Sequence, residues 1–300
     1  IVAHLDELGF QVTGIRPDGS VTLRPLGGFY SSLWEGQPAL LHLDGAPGQG
    51  SPGSCGAAVV DGSISADRRL RGVFVPRARA VSKEPDSLTA WFGVDSAALA
   101  SCGVAVGTKL SGYKRASRLG NTRFTARALD DRVGCTALLL ALRDVDPARF
   151  RHKVIFVWSV REETGLEGAT VVARSLGSTV HRVHAIDTFV SSDSPLETTR
   201  FADATVGAGA ALRALDNSSV TPPGDVARVV RIAAAGAIPL QVGTTNGGND
   251  GSAFVPWGAV DVPVGWPLRY SHSPAELVDL RDVHALAQLV AALAVADPAF

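Results

Sequence analysis

Apolar residues change their spacing partway along the chain. From Phe10 to Gly112 they alternate with polar ones over short stretches separated by Gly- and Pro-rich segments. Alternation of period two predicts half-buried strands, and PDG between QVTGI and SVTLRPL predicts a hairpin. PALLHLDG, RGVFVPRA, LTAWFGV and VAVGTKLSG give further strands, with one short helix near residues 95–101. Such a succession predicts a small β-barrel or sandwich.

From about Thr125 the texture becomes one of alternating helices and strands. Residues 130–143 place apolar side chains at helical spacing, with Asp130 and Asp131 at the N-terminal end, where carboxylates are favoured. VIFVWSV (154–160) is a continuous apolar run, as expected of a strand buried on both faces. GATVVARSLG reads as a helix stopped by Gly, and VHAID as a second buried strand. PGDVARVVRIAAAGA predicts a helix leading into the strand IPLQV; VDVPVGW is another strand and LRDVHALAQLVAALAVAD a closing helix. This alternation predicts a three-layer α/β/α domain around a mostly parallel central sheet. Residues 1–8 fit as one of its strands, which makes the β-rich region an insertion. The expected division is 1–9 with 113–300 for the α/β/α domain and 10–112 for the insert.

Composition narrows the function. The chain has 300 residues, 46% of them hydrophobic, enough for a full core and more than one domain. A net charge of −1 provides no field that would draw nucleic acid or an anionic membrane, and no apolar run reaches the roughly 18 residues of a membrane span. The densest basic stretch, Arg68, Arg69, Arg71, Arg77 and Arg79, reads as a solvated loop and strand. Cys55, Cys102 and Cys135 are widely spaced, odd in number and outside any CxxC motif, a pattern of free thiols in a reducing, cytoplasmic compartment. The chain has no methionine and opens at Ile1 within a predicted strand, from which an upstream segment is expected.

Candidate chemistry lies in five separated places: His4 in AHLDELG, Asp130 in ALDDR, Glu163 in REETGLEGA, Asp187 in HAIDT and His272 in RYSHSP. Nitrogen ligands with hard carboxylates suit zinc, cobalt or manganese, and one Asp bridging two ions, with a His and a carboxylate for each, is the inventory of a two-metal hydrolase. Sites in open α/β sheets form beyond the carboxyl ends of strands. Asp187 ends VHAID, Glu162 and Glu163 follow VIFVWSV, and His272 follows VDVPVGW, so these residues are predicted to converge on one rim. Asp6, two residues after His4 on the same strand face, is placed to accept the second imidazole N–H. Asp131 is placed to orient Asp130 or a neighbouring His. Glu162 and Glu163 diverge on an extended segment, so one can bind metal while the other acts as general base. Each motif also has a plainer reading: a hydrogen-bonded His, a helix cap, a solvated glutamate pair, a strand-end turn, a surface His. Gly248 and Asp250, in TNGGNDGSAF, lie among glycines that permit close approach to a substrate, or simply form a tight turn.

AHLDELGF, ALDDRVGC, REETGLEGA, Asp187, GGNDGSAF and RYSHSPAE together resemble the glutamyl-aminopeptidase-like (tetrahedral aminopeptidase) family of co-catalytic metallopeptidases, over essentially the whole chain. The resemblance implies one metal held by His4, Asp130 and Asp187, and a second by Asp130, Glu163 and His272. It implies Glu162 as the base acting on a metal-bridged water, Asp6 and Asp131 as supporting residues, and an unusual peptide geometry at Asp130-Asp131. It further implies two divalent ions per subunit, zinc first and cobalt or manganese next, and a peptide substrate read by its free N-terminus. Homo-oligomers are implied too, up to a dodecamer built from dimers through the insert. Two other readings share these motifs: a related metal-dependent hydrolase of acylated amino acids or osmolyte dipeptides, and a catalytically silent assembly or binding protein.

Overall fold

The computed structural model describes residues 1–43, 69–77, 87–191 and 204–297. Cys55, Arg68 and Arg79 lie outside them. The chain divides into two compact units, one of Ile1–Glu7, Ala116–Ser271 and Ala275–Phe300, the other of Leu8–Arg115 with His272–Pro274.

The chain starts with the three-residue strand β1 (Val2–His4) and then forms the second unit. Six strands close a barrel: β2 (Gly9–Ile15), β3 (Val21–Leu26), β4 (Pro38–His42), β5 (Arg69–Phe74), β6 (Leu88–Trp91) and β7 (Lys109–Gly112), in the order β2-β3-β6-β5-β4-β7. The predicted hairpin is β2–β3, pairing Gln11 with Arg24 and Val12 with Leu23. Period-two alternation sends Phe10 and Val12, Val21 and Leu23, Ala39 and Leu41, and Leu88 and Ala90 into one core. Closure leaves the sheet no free edge. Helix α1 (Ser96–Ser101) begins at Asp95, whose carboxylate accepts the Ala98 N–H at 2.9 Å.

The first unit continues with β8 (Ser117–Leu119), β9 (Arg123–Ala126), α2 (Leu129–Asp144), β10 (Val157–Ser159), α3 (Glu167–Leu176), β11 (Arg182–Val183) and β12 (Ile186–Val190). Then follow β13 (Ala210–Leu215), α4 (Pro223–Ala235), β14 (Leu240–Thr244), β15 (Val260–Asp261), β16 (Val264–Leu268), β17 (Glu276–Asp279) and α5 (Leu280–Val295). β10 pairs with β1, which is bridged at Val2 to Ala185 between β11 and β12. β11 and β12 pair with β15 and β16, and β13 joins β16 to β14. All these pairings are parallel except β13–β16. Val2 and Ala3 show the two faces. Ala3 packs with Leu138, Val229 and Leu289 of α2, α4 and α5, and Val2 with Ala169 and Ala173 of α3 and with Phe254. The result is a three-layer α/β/α arrangement around a mostly parallel sheet. β8, β9 and β17 form a separate antiparallel sheet.

Four expectations change in detail. VIFVWSV is not a strand buried on both faces: β10 covers three residues and Val160 is 50% exposed. Its ladder has one described neighbour, β1, and an edge strand is covered on fewer sides. VHAID does not end at Asp187, because the Thr-Phe-Val that follows carries β12 on to Val190. VDVPVGW is split into β15 and β16 around Val262-Pro263, where proline offers no ladder donor. Cys102 is disulfide-bonded, whereas Cys135 is free and buried. Pairing follows spatial approach, which sequence spacing does not report, and the thiol argument for a reducing compartment loses Cys102. No described helix is long and apolar enough to cross a membrane.

Candidate metal centre

Parallel pairing of β1 and β10 sets His4 opposite Ser159, so the segment after each strand emerges at the same end of the sheet. His4 is buried at 2% exposure. Its backbone N–H donates to Asp131 Oδ2 at 2.9 Å, and its Nε2 lies 3.1 Å from Asp130 Oδ1. Nδ1 is 3.2 Å from the Asp6 carbonyl oxygen and 3.7 Å from the Asp6 carboxylate. The imidazole is therefore held mainly by the Asp6 backbone. The Asp6 carboxylate accepts instead the backbone N–H groups of Glu162 (3.1 Å) and Glu163 (3.3 Å), bracing the segment that carries both glutamates.

Asp130 and Asp131 are joined by a cis peptide bond and have non-helical backbone angles within the first turn of α2. They do not behave as an ordinary cap. Asp131 is fully buried and accepts the Gly134 N–H at 3.1 Å besides that of His4. A Cβ on Gly134 would lie 2.0 Å from the Asp131 carboxylate, so only glycine fits beside it. Glu276 Oε2 accepts the N–H groups of Leu129 (2.7 Å) and Asp130 (3.2 Å), anchoring the turn from β17. Ala128 and Arg161, which precede the two acidic pairs, have positive φ of 56° and 58°. Strain of this kind in non-glycine residues is characteristic of sites that need a fixed geometry.

Glu162 Oε2 is 4.0 Å from His4 Nε2. Asp187, the second residue of β12, faces Gly265 of β16, and a Cβ there would lie 1.7 Å from the Asp187 carbonyl oxygen. The Asp187 carboxylate accepts the Thr188 N–H and forms an ion pair with Arg213 Nη1 at 3.2 Å, while the Thr188 hydroxyl is 3.4 Å from Asp130 Oδ2.

Charge is crowded here. Burial, with Asp187, Glu163 and Asp130 adding repulsion against the pull of His4, pushes Glu162 up to about 9. Burial raises Asp131 and Asp187 as well, Asp187 despite the neighbouring Arg213. Burial alone would lower His4, but hydrogen bonds to Asp130 and Asp6 and the charge of Asp131 carry it well above the usual histidine range. Burial is the main cause for the three carboxyl groups, and the neighbouring carboxylates add to it.

Ligand atoms of His4, Asp130 and Glu163 all lie within 4.8 Å of one another, the one such cluster among the described residues. An imidazole nitrogen and two carboxylates, mutually close, with His4 and Asp130 buried and Glu163 partly so, fit a divalent cation of the zinc, cobalt or manganese type. His272 groups with the barrel unit, where its Nδ1 approaches the Gly28 carbonyl and its φ is 61°. Asp250, expected against substrate, is 3% exposed and accepts a hydrogen bond from Ser159, the residue opposite His4. Burial raises it to about 6. The Gly248 carbonyl accepts from Arg213 Nη2 at 3.0 Å.

Sequence reasoning missed Gly134, Ser159, Thr188, Arg213, Gly265 and Glu276. Two of them left signals, a glycine three residues after Asp131 and a lone arginine within the apolar run AALRAL.

The sequence profile of the M42 glutamyl aminopeptidases matches residues 1–289. The glutamyl aminopeptidase of Lactococcus lactis subsp. cremoris (strain MG1363) is 28% identical, over 94% of this chain and 76% of its own. The aminopeptidase APDkam598 from the archaeon Desulfurococcus kamchatkensis is similar in structure with a TM-score of 0.84 at 26% identity, over 99% of this chain and 78% of that one. The Pyrococcus horikoshii TET1 peptidase, which can assemble into a tetrahedron or a large octahedral shell, gives 0.79 at 29% identity, over 98% and 82%.

Proposed function

The chain belongs to the M42 glutamyl aminopeptidase family and is a metal-dependent aminopeptidase; on that premise we propose that it releases N-terminal residues from peptides, using Glu162 as general base beside two divalent cations. The observation that carries this reading is the convergence of His4, Asp130 and Glu163 within 4.8 Å, with Glu162 Oε2 at 4.0 Å from His4 Nε2. By the family resemblance, His4, Asp130 and Asp187 would hold one cation, and Asp130, Glu163 and His272 would hold the other. Zinc is the first choice, with cobalt or manganese next, since this ligand set does not separate them.

Bound cations supply acidified water and a polarised scissile carbonyl. The chain supplies the rest. Asp6 fixes the Glu162 and Glu163 backbones, so the two side chains diverge from one anchored segment. Glu162, with Oε2 4.0 Å from His4 Nε2, is placed as the base that takes a proton from water and returns it to the departing amine. Asp131 and Glu276 hold His4 and Asp130 in register from behind. The free amino terminus of the substrate limits release to one residue at a time. The assembly of the Pyrococcus horikoshii relative supports a homo-oligomer, with the barrel insert as its contact module.

The test is a peptide library, half of it N-acetylated, offered to the full chain with zinc, cobalt or manganese. Free-amine peptides should be trimmed stepwise and acetylated ones spared. Glu162→Gln should lower kcat by about 10²–10⁴-fold while metal content stays at the wild-type level. Equal cleavage of acetylated peptides, or unchanged turnover in the variant, overturns the assignment.

A further inference from the structure

Arg213 is a charged residue in the middle of β13, 1% exposed, with no role in the mechanism above. Its guanidinium touches four groups. Nη1 lies 3.2 Å from Asp187 Oδ2 and Nε 3.0 Å from Asp216 Oδ2. Nη2 donates to the carbonyls of Asn246 (3.3 Å) and Gly248 (3.0 Å). The two carboxylate contacts have ion-pair distances without hydrogen-bond alignment. Asp216 is fixed in turn: its Oδ1 accepts the N–H groups of Ser218 and Ser219, both at 2.8 Å, and its Oδ2 accepts from Asn249 Nδ2 at 2.9 Å. Three segments therefore meet at one planar cation: β12 through Asp187, the turn after β13, and the glycine-rich loop 246–249.

A buried ion pair is poor value as pure stabilisation, because desolvating both charges offsets most of their attraction. An arginine held on several sides has another use, since its rigid fork sets the plane of any carboxylate it meets. Asp187 has one oxygen on the Thr188 N–H and the other on Arg213. Its carboxylate cannot rotate without breaking one of these contacts. From this geometry we infer that Arg213 is a positioning residue for the cation bound through Asp187, transmitting the order of the 216–219 turn and the 246–249 loop to that ligand. The inference rests on the reading of Asp187 as a metal ligand. Partners behind metal ligands commonly govern affinity by about 10–100-fold.

The two proposed cations should therefore respond differently. In Arg213→Lys the charge stays, but a point ammonium cannot span Asp187, Asp216 and two carbonyls. Competition of the full-length protein with a chelator should show one zinc ion bound about 10–100-fold more weakly than in the wild type, and the other within about twofold. Peptide kcat should fall at limiting zinc and recover in excess zinc, with KM unchanged. Asp216→Asn keeps the Arg213–Asp187 contact and loosens its support, so it should show a smaller loss at the same ion. A role in the core alone would lower Tm and leave both affinities intact, and that result in Arg213→Lys overturns the inference. Should Arg213→Lys not fold, unchanged zinc affinities in Asp216→Asn overturn it equally. A wild-type chain that binds no divalent cation removes the functional reading itself, and this inference with it.

Discussion

The two units bury different kinds of side chain. Among the described residues, the polar side chains buried in the barrel unit are Ser20, Ser31, Thr108 and Ser111, with the indole N–H of Trp34, and none is charged. The α/β/α unit buries Asp130, Asp131, Asp187, Arg213, Asp216, Arg228, Asp250, Asp261, Glu276, Asp279 and Asp282, with His4 and His184. Charge removed from water is unfavourable unless paired, and even paired it adds little net stability. The barrel core is thus held mainly by apolar packing, whereas the α/β/α unit sacrifices stability at many points to fix geometry. Part of that charge is architectural. Asp282 accepts the N–H groups of Gly207 and Gly209, and Asp279 caps α5 through the Arg281 N–H. Another part, Asp130, Asp131 and Asp187, gathers around His4.

The largest effect should come from the barrel core. Phe10 lies 5.0, 5.3 and 4.9 Å from the rings of Phe29, Trp34 and Phe74 and is fully buried. Phe10→Ala should lower unfolding free energy by about 3–5 kcal/mol, by the same amount at pH 5 and pH 8, since nothing in that core titrates. A loss under about 1 kcal/mol in denaturant melts, or one that changes with pH, would break the contrast between the units.

The same contrast explains what could be read from the sequence. Alternation locates most barrel strands because each has one wet and one dry face. Helices α2 to α5 are legible from their 3.6-residue spacing. β13 was not, because AALRAL has neither β-branched residues nor alternation, and the short β8, β9 and β17 left no pattern. His4, Asp130 and Glu163 were legible as chemistry: they are ionisable residues placed at the ends of predicted strands or, for Asp130, at the N-terminal end of a predicted helix. The groups that hold them were not. Gly265 matters through a backbone approach, Arg213 through contacts with residues far apart in sequence, and Ala128 and Arg161 through backbone angles that their residue types do not announce. Local spacing reports which face is dry; it does not report which distant carboxylate meets which donor.

A smaller effect should appear on acidification, and only in the α/β/α unit. His184 donates from Nδ1 to the Val262 carbonyl at 2.8 Å. Burial, with Arg228 and Arg182 nearby, lowers it to about 3. The fold thus keeps this ring neutral down to about pH 3, whereas the unfolded chain protonates it near 6.5. Its contribution is complete above about pH 6.5 and is lost as pH falls towards 3. By pH 5.5 the loss is about 1.4 kcal/mol. His184→Asn retains an N–H donor without the titration. The stability gap between wild type and variant should therefore shrink by about that much between pH 7.5 and 5.5. Curves that stay parallel would show that the ring is not kept neutral.

The smallest effect should come from a charge in the barrel unit. Arg77 donates to both Glu35 oxygens through its Nε and Nη2, and the two side chains are 27% and 17% exposed. Water reaches both partners, so attraction is screened and ordering two long side chains offsets it. Arg77→Met keeps the apolar stem and removes the cation. It should cost about 0.2–1 kcal/mol at low salt and less at 1 M salt, where the screening length falls to about 3 Å. The measurement matters because it sets the barrel's charge against Arg213, whose four contacts are closed to solvent. A loss above about 2 kcal/mol, insensitive to salt, would mean that the barrel also depends on desolvated charge. The division between a packed unit and a charged one would then be a matter of degree.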